Sequence, residues 1–220
     1  MSPTVDVRTQ VLEANRQAAE KLRRQFSLAG TLVVNLISSP GAGKTALLEA
    51  TLARLNSKWK VAVLVGDIAT ERDAARIRGL GLPAYQILTG GACHLDARQV
   101  SQALDAAAFG PLDILFIENV GNLICPTSYD LGEDLKVVLL SLTEGEDKPF
   151  KYPGIFARAE IACITKMDLA AVVDFDLAAA EEQIRTLNPK GEILRVSART
   201  GEGMEAWCQK LESRLTFKRK

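Results

Sequence analysis

The segment Ser38-Ser39-Pro40-Gly41-Ala42-Gly43-Lys44-Thr45 constrains the fold more than any other part of this chain. It follows an apolar run at 32–37 that reads as a buried strand, and it precedes residues 46–52, whose apolar spacing is that of a helix. Strand, glycine-rich loop, Gly-Lys-Thr and helix, in that order, form the context of a phosphate-binding P-loop. The glycines let backbone N–H groups close round phosphate oxygens, and the helix N-terminus adds partial positive charge. Gly41, Ala42, Gly43, Lys44, Thr45 and Ala46 are therefore candidate nucleotide contacts. Lys44 would reach the β- and γ-phosphates, and Thr45 would offer its hydroxyl to Mg²⁺. The usual motif opens on glycine, and here that position is Ser38. A plain Gly-Lys turn at a helix start would leave Pro40-Gly41-Ala42-Gly43 unexplained.

The rest of the chain repeats the same alternation. Strands are expected at 32–37, 61–65, 85–88, 114–117, 137–142, 161–164 and 193–196, and helices at 44–56, 71–79, 96–108, 176–187 and 204–215. Such βαβ units imply an α/β, three-layer P-loop NTPase fold, with a mostly parallel sheet and helices on both faces. Residues 1–28 read as an N-terminal amphipathic helix packed on the domain formed by 29–220, with Val7, Val11, Ala18, Leu22 and Phe26 on one stripe. The segment 143–153 reads as a mobile surface loop. At 220 residues and 47% hydrophobic content, one domain with a full core is expected. A formal net charge of zero argues against a broad nucleic-acid or membrane surface, and no apolar run approaches a membrane span. The basic end Lys218-Arg219-Lys220 reads as solvated. Four scattered cysteines and no apolar signal core in the first thirty residues indicate a reducing cytoplasm.

The base of the nucleotide is addressed by Thr165-Lys166-Met167-Asp168, which follows a strand and is similar to the Asn-Lys-x-Asp element of GTPases. A carboxylate at Asp168 accepts from guanine N1–H and its 2-amino group, whereas adenine would leave it unpaired. The Lys166 stem can cover the base, and Ser197-Ala198 resemble the second base-contacting loop. Thr165 departs from the motif, because a hydroxyl cannot make the paired contacts of an amide. GTP is thereby favoured, and an ATP-dependent ATPase or kinase is the rival. Asp67 and Glu118 end strands near the P-loop, where a Mg²⁺-holding carboxylate belongs, so Lys44, Asp67 and Glu118 form the candidate catalytic set.

One histidine, His94, adjoins Cys93 in a loop, and Cys125 lies in a second loop just past Glu118. Thiolate and imidazole bind Zn²⁺ and also Ni²⁺. Spacing alone leaves packing roles open: neighbours such as Cys93 and His94 converge on one ion awkwardly, and three ligands do not close a tetrahedron. Cys163 and Cys208 read as packing residues.

Taken together, residues 38–45, 66–70 with Asp73-Ala74, 89–97, 118–133 and 165–169 resemble the HypB family, GTPases that assist nickel delivery to nickel–iron hydrogenases. Ala92-Cys93-His94-Leu95-Asp96-Ala97 and Glu118-Asn119-Val120-Gly121-Asn122-Leu123-Ile124-Cys125-Pro126 carry the resemblance most specifically. The related UreG proteins, which serve urease, have a Cys-Pro-His signature that is absent here. The resemblance implies a GTP-dependent homodimer, with Cys93, His94 and Cys125 binding nickel or zinc at its interface, and Thr45, Asp67 and Glu118 around Mg²⁺. It also implies a HypA-like nickel chaperone and a hydrogenase large subunit as partners. Some members add an N-terminal Cys-rich or His-rich segment, and these 220 residues contain neither. Hydrolysis is expected to be slow, since no glutamine for the attacking water and no arginine finger can be assigned.

Overall fold

Seven strands carry the apolar runs: β1 (Leu32–Ser38), β2 (Val61–Asp67), β3 (Ala84–Leu88), β4 (Ile114–Glu118), β5 (Leu135–Ser141), β6 (Ile161–Thr165) and β7 (Glu192–Arg195). They form one sheet of order β3-β2-β4-β1-β5-β6-β7, and every pairing is parallel. This computed structural model describes residues 7–67 and 72–220, so the expectations resting on Ile68, Ala69, Thr70 and Glu71, and on the residues before Val7, lie outside the described residues. The helices are α1 (Val7–Ala29), α2 (Lys44–Leu55), α3 (Arg72–Gly79), α4 (Ala97–Ala107), the single turns α5 (Lys148–Lys151) and α6 (Pro153–Phe156), α7 (Leu177–Leu187) and α8 (Met204–Lys218).

The central strands are buried along their whole length because both faces are covered. Val34 and Leu36 of β1 join a cluster with Leu48 and Leu52 of α2 and Trp207 and Leu211 of α8. Val33 faces the other way, toward Ala19, Leu22 and Phe26 of α1 and Val100 of α4. Parallel sheets need this double cover, which explains continuous rather than alternating apolar runs. The chain leaves β1 between β4 and β5, at the C-terminal ends of the strands, where an open parallel sheet presents its crevice.

Three sequence expectations are corrected. The buried stripe of α1 runs through Asn15, Ala19, Leu22 and Phe26, while Val11 is exposed. A polar residue thus occupies the packed face, because its amide finds partners there. Residues 143–153 are folded rather than a plain loop. Glu144 accepts from the Ser141 N–H, Lys148 pairs with Glu144, and Pro149 is buried. The basic end is tied down: Lys218 Nζ donates to Asp134 Oδ2 at 2.6 Å, and Arg219 Nε to the Gly30 carbonyl at 3.0 Å. Acceptors distant in sequence neutralise charges that would otherwise be solvated.

Candidate nucleotide and metal site

The P-loop turns on two glycines in left-handed backbone, Gly41 at φ 76° and Gly43 at φ 97°, which residues with a Cβ adopt only under strain. Lys44 follows as the first residue of α2 and is buried. Its ammonium donates to Ser38 Oγ at 3.0 Å, and Ser38 Oγ donates to the Ser39 carbonyl at 2.6 Å. Ser38, the departure from the glycine motif, therefore holds the lysine inside the loop. Burial pushes the Lys44 pKa below the ordinary lysine range, opposed chiefly by the charge of Glu118.

Thr45 and Glu118 meet directly: Thr45 Oγ1 donates to Glu118 Oε1 at 2.8 Å. Glu118 Oε2 is buried with no hydrogen-bond partner among the described residues. Burial raises the Glu118 pKa to about 7, with Lys44 pulling the other way. Asp67 stands at the end of β2, where Val65 is already level with Glu118. These groups line one cleft of about 480 Å³ together with Pro40, Gly41, Gly43 and Ala46. An orphaned carboxylate oxygen beside a hydroxyl and a second acid fits a hard divalent cation such as Mg²⁺. Sequence reasoning missed Arg76 in this cleft, and gave no role there to Asp73 and Asn119, although both lie in segments that carry the resemblance. It also missed Lys148, whose Nζ donates to Ser39 Oγ of the P-loop at 2.6 Å. Their signals are short charged stretches that only the topology brings to the loop. Gly121 packs on Pro40; a Cβ there would lie 3.0 Å from the Pro40 ring.

The candidate base-reading residues lie at the next strand ends. Lys166 takes a left-handed conformation at φ 61° and donates to Thr143 Oγ1 at 3.0 Å. Asp168 is not a helix cap. Ser197 Oγ donates to its Oδ1 at 2.6 Å, with Arg199 3.6 Å away, and that hydroxyl hydrogen bond, more than the guanidinium, holds the carboxyl below its usual pKa. Ala198 follows in the same turn. Thr165, the other departure, donates through Oγ1 to the Ala42 carbonyl at 2.7 Å. Its hydroxyl joins the candidate base-reading segment to the P-loop, which accounts for a threonine at this position.

Cys93, His94 and Cys125 converge, although chain neighbours meet on one ion awkwardly. Their ligand atoms all lie within 4.8 Å of one another, with the two sulfurs 2.9 Å apart and Cys93 Sγ 3.7 Å from His94 Nδ1. Gly90 and Gly91, both at positive φ, turn the first loop back over the sheet end. Cys125 heads a short 3-10 turn, Cys125–Ser128. The Tyr129 ring lies against His94, centroids 3.8 Å apart. Burial lowers the His94 pKa, which favours the neutral imidazole that ligates metals. The Cys125 pKa is raised, first by its hydrogen bond with Cys93 and then by burial. All three residues are half-buried. Cys163 is fully buried, its pKa raised to about 12, and Cys208 packs in the same core.

Residues 32–195 match the nucleotide-binding domain of the CobW/HypB/UreG family. The hydrogenase maturation factor HypB of Escherichia coli strain K12 is 50% identical over 212 residues, covering 95% of this chain and 72% of that protein. The crystal structure of the hydrogenase maturation factor HypB from Archaeoglobus fulgidus superposes with a TM-score of 0.86 at 39% identity, covering 92% of this chain and 99% of that one. HypB from Helicobacter pylori, solved in complex with nickel, gives a TM-score of 0.86 at 38% identity, covering 92% of this chain and 95% of that one.

Proposed function

The chain belongs to the HypB family of CobW/HypB/UreG nucleotide-binding proteins, and from that premise we propose that it is a GTPase that carries nickel for hydrogenase maturation. The observation that supports this best is the placement of the soft ligands. Cys125 sits on the loop that begins at Glu118 of the phosphate cleft, and Cys93 and His94 sit within reach of it. GTP is bound by the P-loop, with Lys44 as counter-charge to the β- and γ-phosphates. Its base is read by Asp168, with Lys166, Ser197 and Ala198 beside it. Thr45, Asp67 and Glu118 would hold Mg²⁺, which would supply the positive charge that neutralises charge developing on the transferred phosphoryl group. The chain's own residues orient the phosphates through the loop amides, and Thr45 holds the Glu118 carboxyl in place at the cleft.

Nickel, or zinc in its place, is the cargo of Cys93, His94 and Cys125. Three ligands leave the set incomplete, and Ile124 beside Cys125 is 66% exposed. A second copy of the chain would supply further thiolate and imidazole and cover that side chain. GTP binding favours this homodimer and hydrolysis releases it, so that cargo affinity follows nucleotide state. A HypA-like chaperone as donor and a hydrogenase large subunit as recipient complete the reading.

Equilibrium dialysis with Ni²⁺ and Zn²⁺, beside sizing in GDP and in a GTP analogue, tests it. The parent should bind metal stoichiometrically and dimerise more in the analogue. Stoichiometric metal retained by the Cys93→Ala, Cys125→Ala double variant would move the site elsewhere.

A further inference from the structure

Leu95 is held from two sides. Its N–H, in the peptide that links it to His94, donates to Asn119 Oδ1 at 3.2 Å. Its side chain packs on Gly66 so closely that a Cβ there would lie 2.8 Å from Leu95 Cγ. Gly66 precedes Asp67 and Asn119 follows Glu118, so the metal-ligand loop rests on the ends of both strands that bring an acid to the phosphate cleft.

Asn119 is itself buried and hydrogen-bonded through both its oxygen and its nitrogen. Its Oδ1 also accepts from the Val120 N–H at 2.9 Å. Its Nδ2 donates to Asn35 Oδ1 at 3.3 Å, and Asn35 Nδ2 donates to Glu133 Oε1 at 3.2 Å. Its backbone N–H donates to the Leu36 carbonyl at 3.0 Å, just before the P-loop. Two N–H groups on one face and an acceptor on the other leave the carboxamide a single workable orientation. We propose that Asn119 is the positioning residue that couples the nucleotide cleft to the metal site, by holding the His94–Leu95 peptide to the strand end that carries Glu118. This rests on the nucleotide-dependent cargo reading above and names the contact through which it acts. A shift of the Glu118–Gly121 segment toward a γ-phosphate would move the Asn119 oxygen, and with it the peptide that orients His94.

Asn15 of α1 provides the contrast. It donates through Nδ2 to the Asp130 carbonyl, beyond Cys125, at 2.9 Å, and accepts from the Ala97 N–H, beyond His94, at 2.8 Å. It braces both ligand loops but touches no residue of the phosphate cleft, so it should set affinity without setting coupling.

The experiment measures nickel dissociation constants, followed by thiolate-to-nickel charge-transfer absorption, for the parent, Asn119→Ala and Asn15→Ala, with Mg²⁺ and either GDP or a non-hydrolysable GTP analogue. The parent's two constants should differ within the range of roughly 5- to 150-fold usual for coupled sites, and Asn119→Ala should bring them to within about twofold. Asn15→Ala should weaken nickel in both states by a common factor and keep the parental ratio. Should Asn119→Ala not fold, Gly66→Ala, which displaces Leu95 from the other side, should shrink the ratio in its place. Equal constants in the parent would overturn the switch reading and this inference together. A parental ratio that survives in folded Asn119→Ala, or in Gly66→Ala where that stands in, overturns the coupling role of this contact alone. So does an equal collapse in Asn15→Ala.

Discussion

The phosphate cleft and the cysteine–histidine cluster stand at the same end of one sheet, yet they are built on opposite terms. In the cleft the protein satisfies most groups itself. Lys44 is hydrogen-bonded to Ser38, Thr45 to Glu118, and the P-loop carbonyl of Ala42 to Thr165. Buried and braced, these groups are preorganised for a ligand of fixed shape, and binding costs little further ordering. The cluster is half-buried, offers three ligand atoms and leans on neighbours through Tyr129, Asn15 and Asn119. A preorganised site suits a nucleotide of fixed shape. A site that the chain leaves incomplete suits the exchangeable cargo proposed above.

Removing the lysine should break this contrast most severely. Lys44→Ala takes the main cation from the cleft, so GTP affinity should fall by about a thousandfold, read by titration of a fluorescent analogue, with nickel still bound in GDP-free protein. Retained affinity would show that the loop is not a phosphate site. Asp168→Asn probes the base end. The new amide donates where guanine also donates and xanthine accepts, so the GTP-to-XTP preference should shift by about a hundredfold in competition binding.

Glu118→Gln sharpens the picture of the cleft. Burial raises the Glu118 pKa from 4.5 to about 7, so the folded state holds a proton that the unfolded chain releases over that window. The stability linked to this proton is present below pH 4.5 and is lost as pH rises through about 7. Glutamine does not titrate. Without nucleotide or Mg²⁺, the variant should therefore gain on the parent by about 3 kcal/mol between acid and pH 8, followed by denaturant melts across pH. A constant difference across pH would mean that folding leaves the Glu118 pKa unshifted. Thr165→Val should have the smallest effect. It strips the Ala42 carbonyl of its donor and should cost about 1 kcal/mol in the same melts, with a modest loss of GTP affinity.

Much of the fold was legible from local pattern. Both faces of the sheet are covered, so β1, β2, β4, β5 and β6 appear as mainly apolar runs, interrupted by Asn35 in β1 and Lys136 in β5, and the P-loop announces the turn after the first of them. The candidate residues of the phosphate cleft were legible for the same reason. The motif is contiguous, and Asp67 and Glu118 mark strand ends. Asn15 and Asn119 were not legible as structural parts. An asparagine on an apolar helix face, or after a strand acid, has no local signature, and its value comes from partners that are distant in the chain. The folding of 143–153 and the anchoring of Lys218 and Arg219 escaped for a related reason. Charged, turn-rich sequence looks the same whether its partners are water or Ser39, Asp134 and Gly30.

The sequence by itself thus determined the alternation of elements, the glycine turns of the phosphate loop and the chemical types available for a base, a cation and a soft metal, because each depends on neighbours within a few residues. Only the tertiary structure decided that Cys93 and His94 converge with Cys125, that Ser38 and Thr165 are internal braces rather than defects of a motif, and that one buried carboxamide touches both sites. Those outcomes depend on strand order, which brings the ends of β2 and β4 together beside β1, and chain-local physics does not encode that proximity.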